Sequence, residues 1–95
     1  MSKISKHITY KEATRSVTAL RLGIENVPND YELQNMELIA EKVFEPLRKA
    51  VNGPIKINSF FRCEELNKAI GGSSKSQHCQ GRAIDIDDVY GYVSN

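Results

Sequence analysis

The chain has 95 residues, 40% of them hydrophobic and 26% charged, with a formal net charge of +1. That is the make-up of a soluble globular protein of one domain at most, spanning 1–95, with a modest core. A nearly neutral balance argues against duplex DNA or an anionic membrane as partner, and no apolar run approaches the ~20 residues of a membrane span.

The start, Met1 to Lys6, is polar and no apolar segment follows it. No signal peptide is expected, which places the chain in the cytoplasm of the cell that makes it. Lys3, Lys6, Lys11 and Arg15 make this end locally basic; a solvated helix face is expected there rather than a patch for nucleic acid or another anionic polymer. Thr9 and Glu12 stand at capping-box spacing and predict a short helix from about Tyr10 to Leu20. Arg21 to Asp30 carries Gly23, Asn26, Pro28 and Asn29 and reads as a loop, whose Asn29 or Asp30 caps the next helix.

That next helix is the clearest element. Leu33, Met36, Ala40, Val43, Phe44, Leu47 and Val51 recur mostly at spacings of three and four, forming one apolar stripe. Glu37, Glu41, Lys42, Glu45 and Lys49 take the other faces, and Pro46 is expected to kink the helix or remove one backbone bond. Asn52-Gly53-Pro54 ends it. Ile55 to Asn58 alternates as a strand, Cys63 to Ile70 has helical spacing up to Gly71-Gly72, and Glu64 and Glu65 suit the start of that helix. Ser73 to Gln80 is a polar loop, and Ala83 to Asp87 is a second strand. The order predicts an α+β fold, a small antiparallel sheet with flanking helices.

The chemistry gathers in Ser76-Gln77-His78-Cys79-Gln80-Gly81-Arg82-Ala83-Ile84-Asp85. On a strand, Ile84 and Ile86 point to one face, and Ala83, Asp85 and Asp87 to the other. Gly81 supplies a turn that brings His78 back over Asp85. A neutral imidazole and a carboxylate on one side of a turn are two of the three protein ligands of a catalytic zinc, whose ligating atoms lie within ~4–5 Å of each other. The plain alternative is a surface histidine and a solvated aspartate at a strand end. Asp87 and Asp88 stand between an outer-shell role and solvent in the same way. Cys63 and Cys79 suit free thiols in a reducing compartment; zinc ligation by Cys79, or a disulfide between the two, is the alternative.

The full pattern Ser76-x-His78-x-x-Gly81-x-Ala83-x-Asp85 resembles the signature of peptidase family M15, the zinc D-alanyl-D-alanine carboxypeptidases and dipeptidases that include phage cell-wall lysins. The hedgehog signalling domain has a similar zinc site. His7-Ile8-Thr9-Tyr10-Lys11-Glu12 and Ile57-Asn58-Ser59-Phe60-Phe61-Arg62 resemble two further segments of the family. Leu66-Asn67, Gly71-Gly72-Ser73 and Ser76-Gln77-His78 are similar to its phage-type members. The resemblance implies a hedgehog/DD-peptidase-like fold, a Zn2+ ion held by His78 and Asp85, and a peptidoglycan peptide as substrate. It also implies that Ser76 holds the substrate's peptide end and that Arg62 contacts the substrate and the developing oxyanion. In the family a later Glu acts as base and a His as third ligand. Here ten residues follow Asp85 and include neither, so the domain is expected to be incomplete at its C-terminus and weak in catalysis. The alternatives are an inactive remnant, or a phage structural or binding module that keeps the fold. A strand Ala83 to Asp87 without its neighbour leaves a free sheet edge, which invites a homo-oligomer, and His7 is the one spare imidazole.

Overall fold

The computed structural model describes residues 3–73 and 75–87. The architecture is α+β. Strands β1 (Lys3–Ser5) and β2 (Ile8–Thr9) open the chain, followed by helices α1 (Tyr10–Thr14), α2 (Val17–Leu22) and α3 (Asp30–Ile39). A π turn (Ala40–Phe44) leads into α4 (Glu45–Val51); then come β3 (Lys56–Ser59), α5 (Glu64–Ala69), a 3-10 turn (Gln77–Gln80) and β4 (Asp85–Asp87). The strands form two antiparallel pairs, β1 with β2 and β3 with β4. In the second pair Lys56 faces Asp87, Ile57 faces Ile86 and Ser59 faces Asp85. Among the described residues β4 has no partner on its other edge.

The core joins Ile4, Ile8, Ala13, Met36, Ala40, Phe44, Ile57, Phe60 and Phe61. β1, β2, α1, α3, the π turn and β3 each supply it, whereas α4 buries no residue. The two phenylalanines after β3 are both fully buried, so the chain leaves the strand into the core and emerges at Arg62.

Several local outcomes differ from the sequence reading. The first helix is two helices. Arg15 and Ser16 are extended, and the Ser16 hydroxyl accepts from the Ala19 N–H at 3.1 Å. A second cap thus competes with continued helix and wins. Asn29 is the cap of α3, with Glu32 closing a second capping box. The long stripe is broken in phase. In the π turn the Glu45 N–H reaches back to the Ala40 carbonyl, which adds one residue to that turn. Phe44 therefore stays inside while Val43, predicted on the stripe, is exposed. Pro46 falls in the first turn of α4, where a missing N–H costs least. The polar loop before the motif contains the 3-10 turn, and the last strand begins at Asp85, two residues later than expected; Ile84 packs on the core ahead of it. Asp88, considered above as an outer-shell carboxylate, lies outside the described residues.

The opening hairpin was not visible in the sequence, and Glu45 is what anchors it. The Ser5 hydroxyl and the His7 N–H both donate to Glu45 Oε2, at 2.6 and 2.8 Å, and His7 Nδ1 meets Oε1 at 2.6 Å. Partial burial pushes the Glu45 carboxyl up, but the hydrogen bonds from His7 and Ser5 outweigh it and hold the group below its ordinary value. The contribution to stability is thus fully present above the ordinary glutamate range and is lost as pH falls through the lowered value. Glu45→Gln is expected to cost about 1 kcal/mol at neutral pH, the pair being partly exposed. The gap to the native chain should narrow below about pH 4. Urea midpoints of both proteins at neutral and acid pH check this; a gap that is independent of pH counts against the clamp.

Candidate metal centre

Two backbone strokes converge on the site. The first runs out of β3 through Phe60 and Phe61 to Arg62. The Phe61 N–H donates to the Ala13 carbonyl at 3.0 Å and the Arg62 N–H to the His78 carbonyl at 3.3 Å. The second is the 3-10 turn. Its cap is Ser76, whose hydroxyl accepts from the His78 N–H at 3.2 Å, and it ends at Gly81 in the left-handed region with φ +74°. The turn is pressed against α3. A side chain on Gly81 would run into the Glu32 carbonyl oxygen and lie 2.7 Å from Met36 Cγ. Asn35 Nδ2 also donates to the Gln80 carbonyl at 2.8 Å.

This geometry aims one imidazole. His78 is buried, at 7% exposure. Its Nδ1 lies 2.7 Å from the Phe60 carbonyl oxygen. A carbonyl only accepts, so Nδ1 carries the hydrogen, and in the neutral ring Nε2 is a bare lone pair. Nε2 faces Asp85 Oδ2 at 3.2 Å. Two acceptors at that distance repel unless a cation sits with them, either a proton on Nε2 or a metal ion. Orientation of a histidine by a backbone carbonyl behind it is the usual support of a metal-binding imidazole. The pair therefore fits a metal, and the outer oxygen has room, since the Asp85 side chain is 61% exposed.

Arg62 stands beside this pair. Its Nη2 donates to Ser76 Oγ at 3.4 Å, while its Nε is buried with no acceptor among the described residues. A guanidinium holding five donors, so sparingly used, is poised for an incoming oxygen. The four residues singled out in the sequence, Arg62, Ser76, His78 and Asp85, are thus brought together. The cysteines are not part of the cluster. Cys63 caps α5, its sulfur accepting from the Leu66 N–H at 3.4 Å, and both thiols are free. Burial pushes the Cys79 thiol up, which opposes the thiolate a metal needs. His7 sits on Glu45 in the opening hairpin. Among the described residues no group of three or more His, Cys, Asp or Glu is placed to hold a metal.

Sequence reasoning missed Asn26. Its Nδ2 donates to the Thr14 and Phe61 carbonyls, both at 2.9 Å, and its Oδ1 accepts from the Cys63 N–H at 2.7 Å. It therefore grips the backbone on either side of Arg62. No helix among the described residues is long and apolar enough to cross a membrane.

No curated protein and no solved structure matches the chain. The family model of Peptidase M15, however, matches residues 6–92, which takes in the second strand of the hairpin, the segment from β3 to Arg62 and the His78 turn, and the chain belongs to that family.

Proposed function

We propose that this peptidase-like domain is a zinc-dependent hydrolase of D-alanine-containing peptides of the bacterial cell wall, carried by a phage or prophage. The observation that carries the reading is the His78 ring, held through Nδ1 on the Phe60 carbonyl with Nε2 turned to Asp85. His78 and Asp85 are the metal ligands in this reading, and the family is generally zinc-dependent. Bound zinc supplies Lewis acidity, which polarises a carbonyl and acidifies a water. The residues of the chain then divide the rest of the work. Arg62 offers its unused donors to the carbonyl oxygen as charge develops there, and its fixed position makes that interaction effective. Ser76, already bonded to Arg62 and to the His78 N–H, orients the peptide end. The Phe60 carbonyl on Nδ1 and the burial of the ring keep the inner side of the imidazole from water.

A third ligand and a base are needed from outside the described residues, either from a further segment of chain or from a second molecule paired along the open edge of β4. The same observation favours a second reading, a binding module that keeps the fold without turnover. Zinc titration of the untagged chain against a chromophoric chelator tests the first. His78→Ala should weaken zinc by more than the roughly 10–100-fold that loss of an outer-shell partner costs. Equal zinc affinity in both proteins would remove the metal site.

A further inference from the structure

A cleft of about 660 Å3 lies between the tip of the opening hairpin and α4, and none of the four residues of the metal centre lines it. Lys6 and His7 face it from the hairpin, Glu41 from the π turn, and Glu45, Arg48 and Lys49 from α4. Three permanent cations thus share one space. Among the described residues none of them is ion-paired, the two pairs being His7 with Glu45 and His78 with Asp85. Arg48 and Lys49 stand in the last turn of α4, where cations suit the helix dipole. That reason does not extend to Lys6. It belongs to the basic start of the chain, expected from sequence as a solvated helix face, yet it sits in the turn between β1 and β2. Glu45 places it there. The carboxylate holds the residues on either side of Lys6, accepting from the Ser5 hydroxyl at 2.6 Å and from the His7 N–H at 2.8 Å. It takes His7 Nδ1 as well. An acid of α4 is therefore spent on fixing one lysine beside an arginine and a second lysine, not on neutralising them. Glu41, exposed, is the one other carboxylate of the cleft. Like charges held around one space repel, and an anion between them reverses that.

We propose that this cleft binds a phosphate ester, held by Arg48 from the α4 side and by Lys6 from the hairpin side, with Lys49 adding charge. The proposal goes beyond the peptidase reading and needs no metal. Charge selects the ligand class. With Glu45 taken up by the hairpin, the three cations outnumber the remaining carboxylate by two. A phosphomonoester answers that excess alone, at about −1.5 to −2 near neutral pH. A polyol-phosphate chain answers it with two successive diesters, whereas a carboxylate brings one charge. Arg48 suits the task because its planar fork takes two phosphate oxygens in parallel, while the lysines act as point charges. The shared chemistry is the phosphate ester. A free phosphorylated polyol and the phosphodiester chain of a polymer both offer it.

The test is calorimetric titration of the full chain, dialysed free of metal and held at constant ionic strength. One arm uses glycerol 3-phosphate, the other a poly(glycerol phosphate) chain, with glycerol as the uncharged control. Saturable binding of at least one ester and none of glycerol is expected. Lys6→Met and Arg48→Met should each weaken it about tenfold, the loss of one charge-assisted bond. Arg48→Lys should keep part of the affinity, because the charge stays and the fork is lost. Arg21→Met removes the same charge from the end of α2, outside the cleft, and should leave binding unchanged. Lys6→Met spares the Ser5 and His7 bonds to Glu45, so its thermal midpoint should stay at the native value. Tighter binding of the monoester makes a free phosphorylated polyol the ligand; tighter binding of the chain, counted per phosphate, makes it the polymer. Both outcomes keep the site. Absence of saturable binding in both arms overturns the proposal. So does an Arg21→Met as weak as Arg48→Met, since net charge and not the cleft would then attract the ester.

Discussion

Replacing Gly81 with alanine is expected to cost about 2–5 kcal/mol, enough to remove a large part of the stability of a domain this size. Two effects add at this position. The first is conformational: φ is +74°, and a side chain in the left-handed region costs about 1–2 kcal/mol. The second is contact. The new methyl group would meet the Glu32 carbonyl oxygen and lie 2.7 Å from Met36 Cγ, and Met36 is fully buried. Neither neighbour moves freely, one being helix backbone and the other packed core, so a further ~1–3 kcal/mol of overpacking follows. Gly23 is the matched control. It has φ +71° with nothing within 4 Å of its would-be side chain. Gly23→Ala should therefore cost only the conformational part, about 1–2 kcal/mol. Gly81→Asn should do no better than alanine, since asparagine eases the backbone but enlarges the clash. Thermal midpoints check the series, with about 4–8 °C for each kcal/mol. Equal losses at Gly81 and Gly23 would mean that the turn is not pressed on α3. Because the turn carries His78, Gly81→Ala should also weaken any zinc that the native chain binds.

What could be read from the sequence follows from how local each signal is. His78 and Asp85 are seven residues apart with a glycine between, so a turn-and-strand argument sufficed to bring them to one side, and the structure has them 3.2 Å apart. The stripe running through α3 and the π turn gave Met36 and Phe44 as core for the same reason: helical spacing is a short-range pattern. The failures are long-range, depend on one residue of phase, or fall on local signals too short or too ordinary to stand out. Gly81 was read as a turn former, which it is. Its contact with Glu32, across 49 positions of sequence, has no local sign. The hairpin of Lys3–Ser5 and Ile8–Thr9 is too short to show alternation, although it buries Ile4 and Ile8. Val43 was misplaced because the π turn shifts the helical phase, and only Pro46 hinted at an irregularity there. Ser16 is a helix cap like any other in type, but within a helical pattern nothing marked it as the cap that would prevail.

Asn26 is the clearest case of a site residue hidden in a loop, and its replacement should have the other large effect. In the sequence it is one of four turn-forming residues between Arg21 and Asp30. In the structure its amide makes three bonds, to the Thr14 carbonyl, the Phe61 carbonyl and the Cys63 N–H. Asn26→Ala leaves all three backbone groups without that partner, at about 1–3 kcal/mol for each one that water does not reach. A total of about 2–4 kcal/mol is expected, since the site is part-buried. Asn26→Asp is more telling. A carboxylate still accepts from Cys63 but can donate to neither carbonyl, and its charge faces both carbonyl oxygens. At neutral pH it should therefore be at least as damaging as alanine. At acid pH, where a carboxyl group regains a donor, it should recover part of the loss while Asn26→Ala does not. The functional consequence runs through Arg62, whose neighbours on both sides are the groups that Asn26 holds, and whose own N–H bonds the His78 carbonyl at 3.3 Å. Loosening that strand should lower zinc affinity, because the His78 turn hangs on it. Urea denaturation of the three proteins at two pH values, with zinc titrations on the folded fraction, decides it. An Asn26→Asp protein as stable as the native chain at neutral pH, with zinc affinity unchanged, would show that the loop is held by something other than this side chain.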